Sequence, residues 1–269
     1  TVANNAAVFT AVPVVTLIDA YGGSLGTGNS TGARTVSAAS SNGADTLSVN
    51  SITSSNGTAT FTGFNIVGTI GTRTVTFSGT NSAGTSMTSV TTATITLSAG
   101  AAATVTANSS TSQSGIVAGQ AVTTAPSVVV KDSGGNVVSG ASVTFAVTVG
   151  GGSFVNSTAV ATNSSGIATS TTWTTGTTVG TNTATATVSG ITAVTFTATT
   201  VVGSFSASAS TLTTSVNSLT VGSSNTTTVT VTVKDANSNV ITSAASAVTL
   251  TVSSGAGSIG SVTNNNNGT

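Results

Sequence analysis

The sequence predicts an all-β chain in which many short strands form sandwiches or barrels. Apolar residues alternate with Thr or Ser along short runs, as in Val143, Phe145, Val147 and Val149, which share one face of a strand. These runs end at Gly, Asn or Ser, and no segment keeps the roughly 3.6-residue period of a helix. One apolar face and one hydroxyl face are typical of antiparallel sheets, and short strands between turn signals favour a sandwich or barrel.

The same alternation predicts strands at residues 229–233 and 248–252. Tyr21 lies in a turn-like stretch, residues 20–23, and is expected to be exposed. Eight other aromatic residues are expected to fill the core rather than to stack on a ligand, because Ala and Val alone leave the core thin: Trp173, Phe61, Phe64, Phe77, Phe145, Phe154, Phe196 and Phe205.

The composition excludes most enzyme classes. Thr and Ser make up 104 of the 269 residues, and there is no Glu, His or Cys. General acid–base catalysis, catalytic triads and sites for zinc, copper or iron–sulfur clusters depend on those residue types. Four Asp are scattered along the chain, and four Lys and Arg balance them without clustering. We therefore expect no catalytic residue, no cofactor, no metal and no nucleic-acid partner.

The chain contains no run of about 20 apolar residues, so no membrane span is expected in this fragment. Residues 1–25 lack the charged and apolar regions of a signal peptide, and any export signal is expected to lie outside the fragment or to have been removed. Without Cys, the fold contains no disulfide.

Three sequence markers repeat in the same order. The segment 128–138, VVVKDSGGNVV, matches 231–241, VTVKDANSNVI, and more weakly 14–25, VVTLIDAYGGSL. The segment 163–169, NSSGIAT, matches 54–60, and the final NNNNGT matches both at its Gly. The segment beginning GTNTAT at 180 matches GTRTVT at 71. The markers predict repeat units of the usual domain size, namely 1–98, 99–201 and 202–269.

The second unit is expected to be complete. The first is expected to lack the strand that the second unit has near 103–107, and the third to stop about two-thirds of the way through. The incomplete first and third units predict that the chain is either a segment of a longer tandem array or a subunit that its neighbours complete. A closed, self-sufficient sandwich in residues 202–269 would contradict it.

The second unit resembles a bacterial immunoglobulin-like domain of the invasin/intimin group. The resemblance rests on the segment V-x-V-K-D-x-x-G-N-V-V at 128–138, on GASVTF at 140–145, and on the markers beginning at Asn163 and Gly180. It implies tandem immunoglobulin-like Greek-key β-sandwiches, the first and last incomplete, in a bacterial cell-surface protein. Such domains are typically spacers in adhesins, and some tip domains bind receptors.

The low charge departs from the family pattern and suggests self-assembly. Packing neutral surfaces avoids the several kcal/mol that burying an ion costs. We therefore expect a non-catalytic extracellular structural protein, in which side-to-side or end-to-end packing with copies of itself builds a filament, surface layer or adhesin stalk. One alternative is a spacer kept soluble by hydroxyls, by glycans or by charges elsewhere in the chain. The other is an adhesin module that binds a host receptor or glycan.

The repeated Lys-Asp-x-x-Gly/Ser-Asn motif, at 131–136 and 234–239, is interpreted as a turn. Asp and Asn side chains bond to nearby backbone amides, and Gly or Asn tolerates a positive φ. Calcium binding is the weaker alternative, because calcium takes six to eight oxygen ligands and each turn holds one carboxylate. An isopeptide crosslink from Lys131 or Lys234 to an Asn is a further alternative, and a loss of ammonia in the intact mass would reveal it.

Overall fold

The computed structural model describes residues 2–3, 11–19, 21–25, 34–81, 84–156, 158–220, 225–242, 248–255 and 257–269. Ala20, in the expected turn at 20–23, lies outside these ranges. Every regular element in them is a β-strand, so the all-β prediction is confirmed. Within the same ranges no helix is long and apolar enough to cross a membrane.

Twenty-three strands are described, and most are short. The first unit contains β1 Val2–Ala3, β2 Val14–Thr16, β3 Thr35–Ser40, β4 Thr46–Leu47, β5 Ser51–Thr53, β6 Thr58–Thr60, β7 Ile66–Val67, β8 Gly71–Arg73, β9 Val75–Gly79, β10 Val90–Thr91 and β11 Ile95–Ser98. The second contains β12 Ala102–Ala107, β13 Ser112–Val117, β14 Ser127–Asp132, β15 Ser142–Val149, β16 Gly152–Phe154, β17 Val160–Ala161, β18 Ile167–Thr169, β19 Trp173–Thr175, β20 Thr181–Thr187 and β21 Val194–Val201. The third contains β22 Thr211–Thr214 and β23 Val229–Thr232.

The second unit is a two-sheet sandwich. A three-stranded sheet has the order β12–β14–β18, and a five-stranded sheet has the order β13–β21–β20–β15–β17. The chain alternates between the two sheets from β12 to β15, and β13 pairs in parallel with β21. The core combines apolar residues of both sheets with Trp173: Val128, Val130, Val143, Phe145, Ala184, Ala186, Phe196 and Ala198. Val143 and Phe145 are buried as the alternation predicts, whereas Val149 at the strand end is exposed.

The first unit has a separate core beneath smaller sheets. Its main sheet has the order β10–β9–β3–β5, and β1 pairs in parallel with β11 at the edge of a second sheet. Phe61 and Phe77 meet edge to face with ring centroids 5.0 Å apart, and Phe64 packs beside them. Among the predicted core aromatics of the first two units, Phe154 alone is half-buried and the rest are buried.

The described part of the third unit differs from the expectation at two places. Residues 248–252 form no strand, although the alternation predicts one. Phe205, predicted to lie in the core, is 62% exposed. The physical reason is the same for both: β22 and β23 form a single two-stranded sheet, and the described residues of this unit provide no second sheet to cover its apolar side. The core prediction for Phe205 is therefore wrong.

The three copies of the marker that contains Gly57, Gly166 and Gly268 occupy equivalent places in the structure. In each unit, the marker glycine accepts a backbone hydrogen bond from the strand that leads into the Asp turn. The bonds run from Leu17 N to Gly57 O, from Val130 N to Gly166 O and from Val233 N to Gly268 O, at 2.8, 2.9 and 2.8 Å. The sequence repeat is thus reproduced as a repeat of hydrogen bonds.

Candidate functional site

The Asp turn of the second unit is a compact hydrogen-bonded structure. Asp132 Oδ1 accepts hydrogen bonds from the backbone amides of Gly134, at 2.9 Å, and Asn136, at 2.8 Å. The Asn136 side-chain amide donates to both carboxylate oxygens, at 3.2 and 3.1 Å. Asp132 and Asn136 are both buried. The turn predicted from the motif is therefore present, with Asp capping backbone amides as expected.

The turn of the third unit repeats these bonds. Asp235 Oδ1 accepts from the amides of Asn237 and Asn239, both at 2.9 Å. The Asn239 side chain donates to the two carboxylate oxygens, at 3.2 and 3.0 Å. Two turns 103 residues apart therefore share one hydrogen-bond pattern.

Each turn also holds the connection from the unit before it. Gly100 and Gly203 lie just after the last strands of the first and second units, β11 and β21. Gly100 N donates to Asp132 Oδ2 and Gly203 N donates to Asp235 Oδ2, each at 2.9 Å. The carboxylate of each turn thus binds the chain close to a predicted boundary between units. We call these two places the first joint and the second joint.

The joints contain carboxylates whose pKa is lowered. Burial by itself raises the pKa of Asp132, but the hydrogen bonds from the Gly100, Asn136 and Gly134 amides and from the Asn136 side chain outweigh it, so the pKa lies below the ordinary value of an aspartate. The pKa of Asp235 is lowered in the same way, with donors from Gly203, Asn239 and Asn237. Both groups are therefore ionised at neutral pH, and hydrogen-bond donors already satisfy their oxygens.

Asn136 reaches across the first joint. Its Oδ1 accepts a hydrogen bond from Ile70 N at 3.2 Å, and its Nδ2 lies 3.4 Å from Gly68 O. Both partners are backbone atoms of the first unit, in the loop between β7 and β8. The side chain that completes the turn in its own unit therefore also binds the preceding unit.

Asn239 makes the same contact at the second joint. Its Oδ1 accepts from Val179 N at 3.2 Å, and its Nδ2 donates to Thr177 O at 2.9 Å. An additional bond runs from Asn237 Nδ2 to Ala118 O, at 2.8 Å. The first joint has Gly134 at the position of Asn237, so this extra bond belongs to the second joint alone.

Different side chains support the loops that the two Asn residues bind. In the first unit, Arg73 donates to Thr69 O in the loop and forms an ion pair with Asp45, which also accepts from Ser40 Oγ at 2.6 Å. In the second unit, Asn182 occupies the position of Arg73. Its Oδ1 accepts from Gly176 N at 2.8 Å, and it is 1% exposed. An ionic network and a neutral one thus hold equivalent loops.

The first copy of the turn lacks the joint-forming amide. Asp19 Oδ1 accepts from the backbone amides of Tyr21, at 2.9 Å, and Gly23, at 2.8 Å, as in the other two turns. Gly23 stands where Asn136 and Asn239 stand in those turns. Tyr21 is 98% exposed, so the prediction of an exposed aromatic is confirmed.

A pocket of about 320 Å³ opens beside the second joint. Its lining includes Val117, Ala118 and Phe205 together with Asp235 and Asn237. The carboxylate in this lining accepts bonds from Gly203 and from the turn itself, and Asn237 is bound to Ala118, so both polar groups are already paired. Tyr21 and Phe205 are the strongly exposed aromatic residues in the described ranges, and they lie in different units.

Sequence reasoning identified both turns but not their second role. The motif shows that Asp and Asn form a turn, yet nothing in it shows that the Asn amide faces a neighbouring unit. It also missed the pairing of Arg73 with Asp45, two charges that lie 28 residues apart. The alignment of Gly71-Thr72-Arg73 with Gly180-Thr181-Asn182 was the available signal, because it places Arg73 and Asn182 at one position of the fold.

No protein-family model matches the chain, and no curated protein matches it. Several solved structures do. One is the Escherichia coli adhesin FdeC, with 24% identity and a TM-score of 0.44, over 78% of this chain and 65% of that one. Another is invasin, a bacterial integrin-binding protein, with 22% identity and a TM-score of 0.38, over 86% of this chain and 44% of that one.

The surface layer protein SbsC, domains 1–6, is also similar, with 20% identity and a TM-score of 0.29. That match covers 83% of this chain and 26% of the SbsC structure. The chain therefore spans less than two thirds of each of these three structures. Invasin represents the group that the motifs of the second unit resemble.

Proposed function

We propose that this chain is a non-catalytic structural protein of a bacterial cell surface, and that its units are tandem immunoglobulin-like domains with boundaries near residues 98 and 201. The joints support the boundaries, because each turn binds the chain where one unit ends and also binds a loop of that unit. An extracellular location agrees with the surface proteins to which the chain is similar.

The outer face of the five-stranded sheet supports the proposal that copies of the chain pack against one another. Threonines line this face in cross-strand pairs, such as Thr183 with Thr197 and Thr185 with Thr195. None of the five strands contains a charged residue, and the two charges of the second unit, Lys131 and Asp132, lie on β14 in the other sheet. Hydroxyl groups can exchange hydrogen bonds with a facing copy, whereas burying charges costs several kcal/mol each. The partner that fits this face best is a second copy of the same surface.

Charge placed on this face tests the proposal. Thr195 and Thr199 are exposed on β21, on the same side of the sheet. We expect the purified chain to form assemblies at high concentration in light scattering and electron microscopy. The double variant Thr195→Lys/Thr199→Lys is expected to stay monomeric, because two ammonium groups would have to be desolvated at the contact.

A matched control places the same two charges on the other sheet. Thr104 and Thr106 are exposed on β12, two residues apart on one side of the strand, and Thr104→Lys/Thr106→Lys changes the net charge equally. We expect this control to assemble as the unmodified chain does. A chain that remains monomeric without any substitution, or a control that fails equally, would contradict the proposal.

The second candidate function is an adhesin module that binds a host receptor or glycan. The observation in its favour is the solvent-exposed aromatic ring of Tyr21 in the first Asp turn. Aromatic side chains of this kind are enriched at recognition surfaces. Binding to host-cell extracts or glycan arrays that is lost in Tyr21→Ser would support this function over the structural one.

A further inference from the structure

We propose that Asn136 and Asn239 are docking residues that set the angle between successive units by binding the backbone of the unit before them. The inference concerns a single chain, so it does not depend on whether chains assemble. Two joints, built from different sequences, carry the same arrangement at corresponding atoms.

Each Asn side chain recognises a pair of backbone groups. Its Nδ2 faces the carbonyl oxygen of one loop residue, Gly68 or Thr177, and its Oδ1 accepts from the amide two residues later, in Ile70 or Val179. A carboxamide offers an NH2 donor group and a carbonyl acceptor side by side, which suits such a pair and leaves a second N–H for the carboxylate of the turn. Because the partners are backbone atoms, the contact does not depend on the loop side chains, and the two loops indeed differ in sequence.

The carboxylate of the turn orients the Asn. The Nδ2 group also donates to both oxygens of Asp132 or Asp235, and these bonds fix which end of the amide faces which loop atom. The same carboxylate holds the connecting glycine of the joint. One Asp–Asn pair therefore ties together the turn, the connection and the preceding loop, and these three attachments restrict rotation between units.

The two joints are not equally strong by this argument. Asn237 adds a bond to Ala118 at the second joint, where the first joint has a glycine. Loss of Asn136 removes both of its bonds to the loop at the first joint, while loss of Asn239 leaves the Asn237 bond to the preceding unit in place at the second. We therefore expect Asn136→Ala to loosen its joint more than Asn239→Ala loosens the other.

Distances between spin labels test the proposal in the full chain. The chain has no cysteine, so pairs of introduced cysteines are labelled without background. Ser51, Thr144 and Thr211 are exposed, one in each unit. Ser51→Cys with Thr144→Cys reports on the first joint, and Thr144→Cys with Thr211→Cys reports on the second. Dilution of the labelled chain with an excess of unlabelled chain removes the contribution of distances between molecules.

We expect narrow distance distributions in the unmodified background. Asn136→Ala should at least double the width across the first joint and leave the second unchanged, and Asn239→Ala should widen only the second. Asn163→Ala is the matched control, because the Asn163 side chain caps the Ser165 and Ile167 amides of its own turn. An unchanged width across the first joint in Asn136→Ala, or equal broadening in Asn163→Ala, would overturn the inference.

A nearly isosteric variant distinguishes loss of the docking contact from loss of folding. Asn136→Asp keeps the side-chain size but replaces the donor with a second carboxylate beside Asp132, so at neutral pH it should widen the first joint at least as much as Asn136→Ala. A narrow distribution at neutral pH with native circular dichroism would contradict the proposed role of the Asn donor.

Discussion

The first and second units hold the same loop in two different ways. In the first unit, the loop before β8 is held by the buried pair of Arg73 and Asp45. In the second unit, the equivalent loop before β20 lies next to the neutral side chain of Asn182, which bonds to the backbone of Gly176 and Gly180. Yet the loops present the same backbone atoms to Asn136 and Asn239. The support beneath a docking loop can therefore change between units while the docking contact stays.

The comparison shows which network is more sensitive to change. A buried ion pair contributes little net stability over a neutral arrangement, since desolvation offsets the attraction, but removing one partner leaves an uncompensated charge. A neutral amide that loses its partner leaves only an unsatisfied polar group. We therefore expect the first unit to respond more strongly than the second to the loss of one partner from the network that supports its loop.

Asp45→Ala should have the largest effect. It leaves the Arg73 guanidinium buried without its carboxylate, and we expect the first unit to lose about 3–5 kcal/mol of its free energy of unfolding. In the neutral network of the second unit, Asn182→Ala leaves Gly176 N without its acceptor and should cost about 1–3 kcal/mol. Denaturant unfolding followed separately in each unit measures both, and Trp173 fluorescence reports on the second.

A double substitution separates lost charge balance from lost packing. Asp45→Leu/Arg73→Met removes both charges and keeps apolar volume, so we expect stability close to that of the unmodified chain. If the double variant were as unstable as Asp45→Ala, packing rather than the unpaired charge would explain the loss. If Asp45→Ala and Asn182→Ala had equal effects, the contrast between the two units would fail.

Acid should weaken both joints, with a smaller effect than Asp45→Ala. The folded-state pKa values of Asp132 and Asp235 are lowered because the hydrogen bonds to each carboxylate outweigh burial. Their contribution to stability is therefore fully present above the ordinary aspartate pKa of about 3.9, and it is lost as the pH falls through the lowered folded-state value. At pH values below about 4, the melting temperature should decrease. The double variant Asp132→Asn/Asp235→Asn should show a weaker dependence of melting temperature on pH. The same slope in the variant and the unmodified chain would show that these two groups are not responsible.

The sequence predicts the strands and the turns well, because both depend on local chemistry. Alternation places Val143 and Phe145 inside, and the Asp-x-x-x-Asn spacing brings both side chains into one turn. Phe205 was misplaced because its burial requires a second sheet, which alternation along one strand does not reveal. The joint role of Asn136 was missed for a similar reason, since its partners lie 66 and 68 residues away in another unit.

The smallest expected effect comes from the difference in backbone strain between the turns at the two joints. Gly135 and Ser238 are equivalent residues with φ of +81° and +68°. A non-glycine residue in this region costs roughly 1–2 kcal/mol, and glycine gives back part of that as entropy of the unfolded chain. Ser238→Gly should therefore stabilise the third unit by about 0.5 kcal/mol, and Gly135→Ser should destabilise the second by a similar amount. A Cβ at Gly135 meets no atom within 4 Å, so the second change isolates the backbone. Thermal unfolding of the two reciprocal variants measures the difference, and a shift in the same direction for both would show that the two turns are not equivalent in backbone strain.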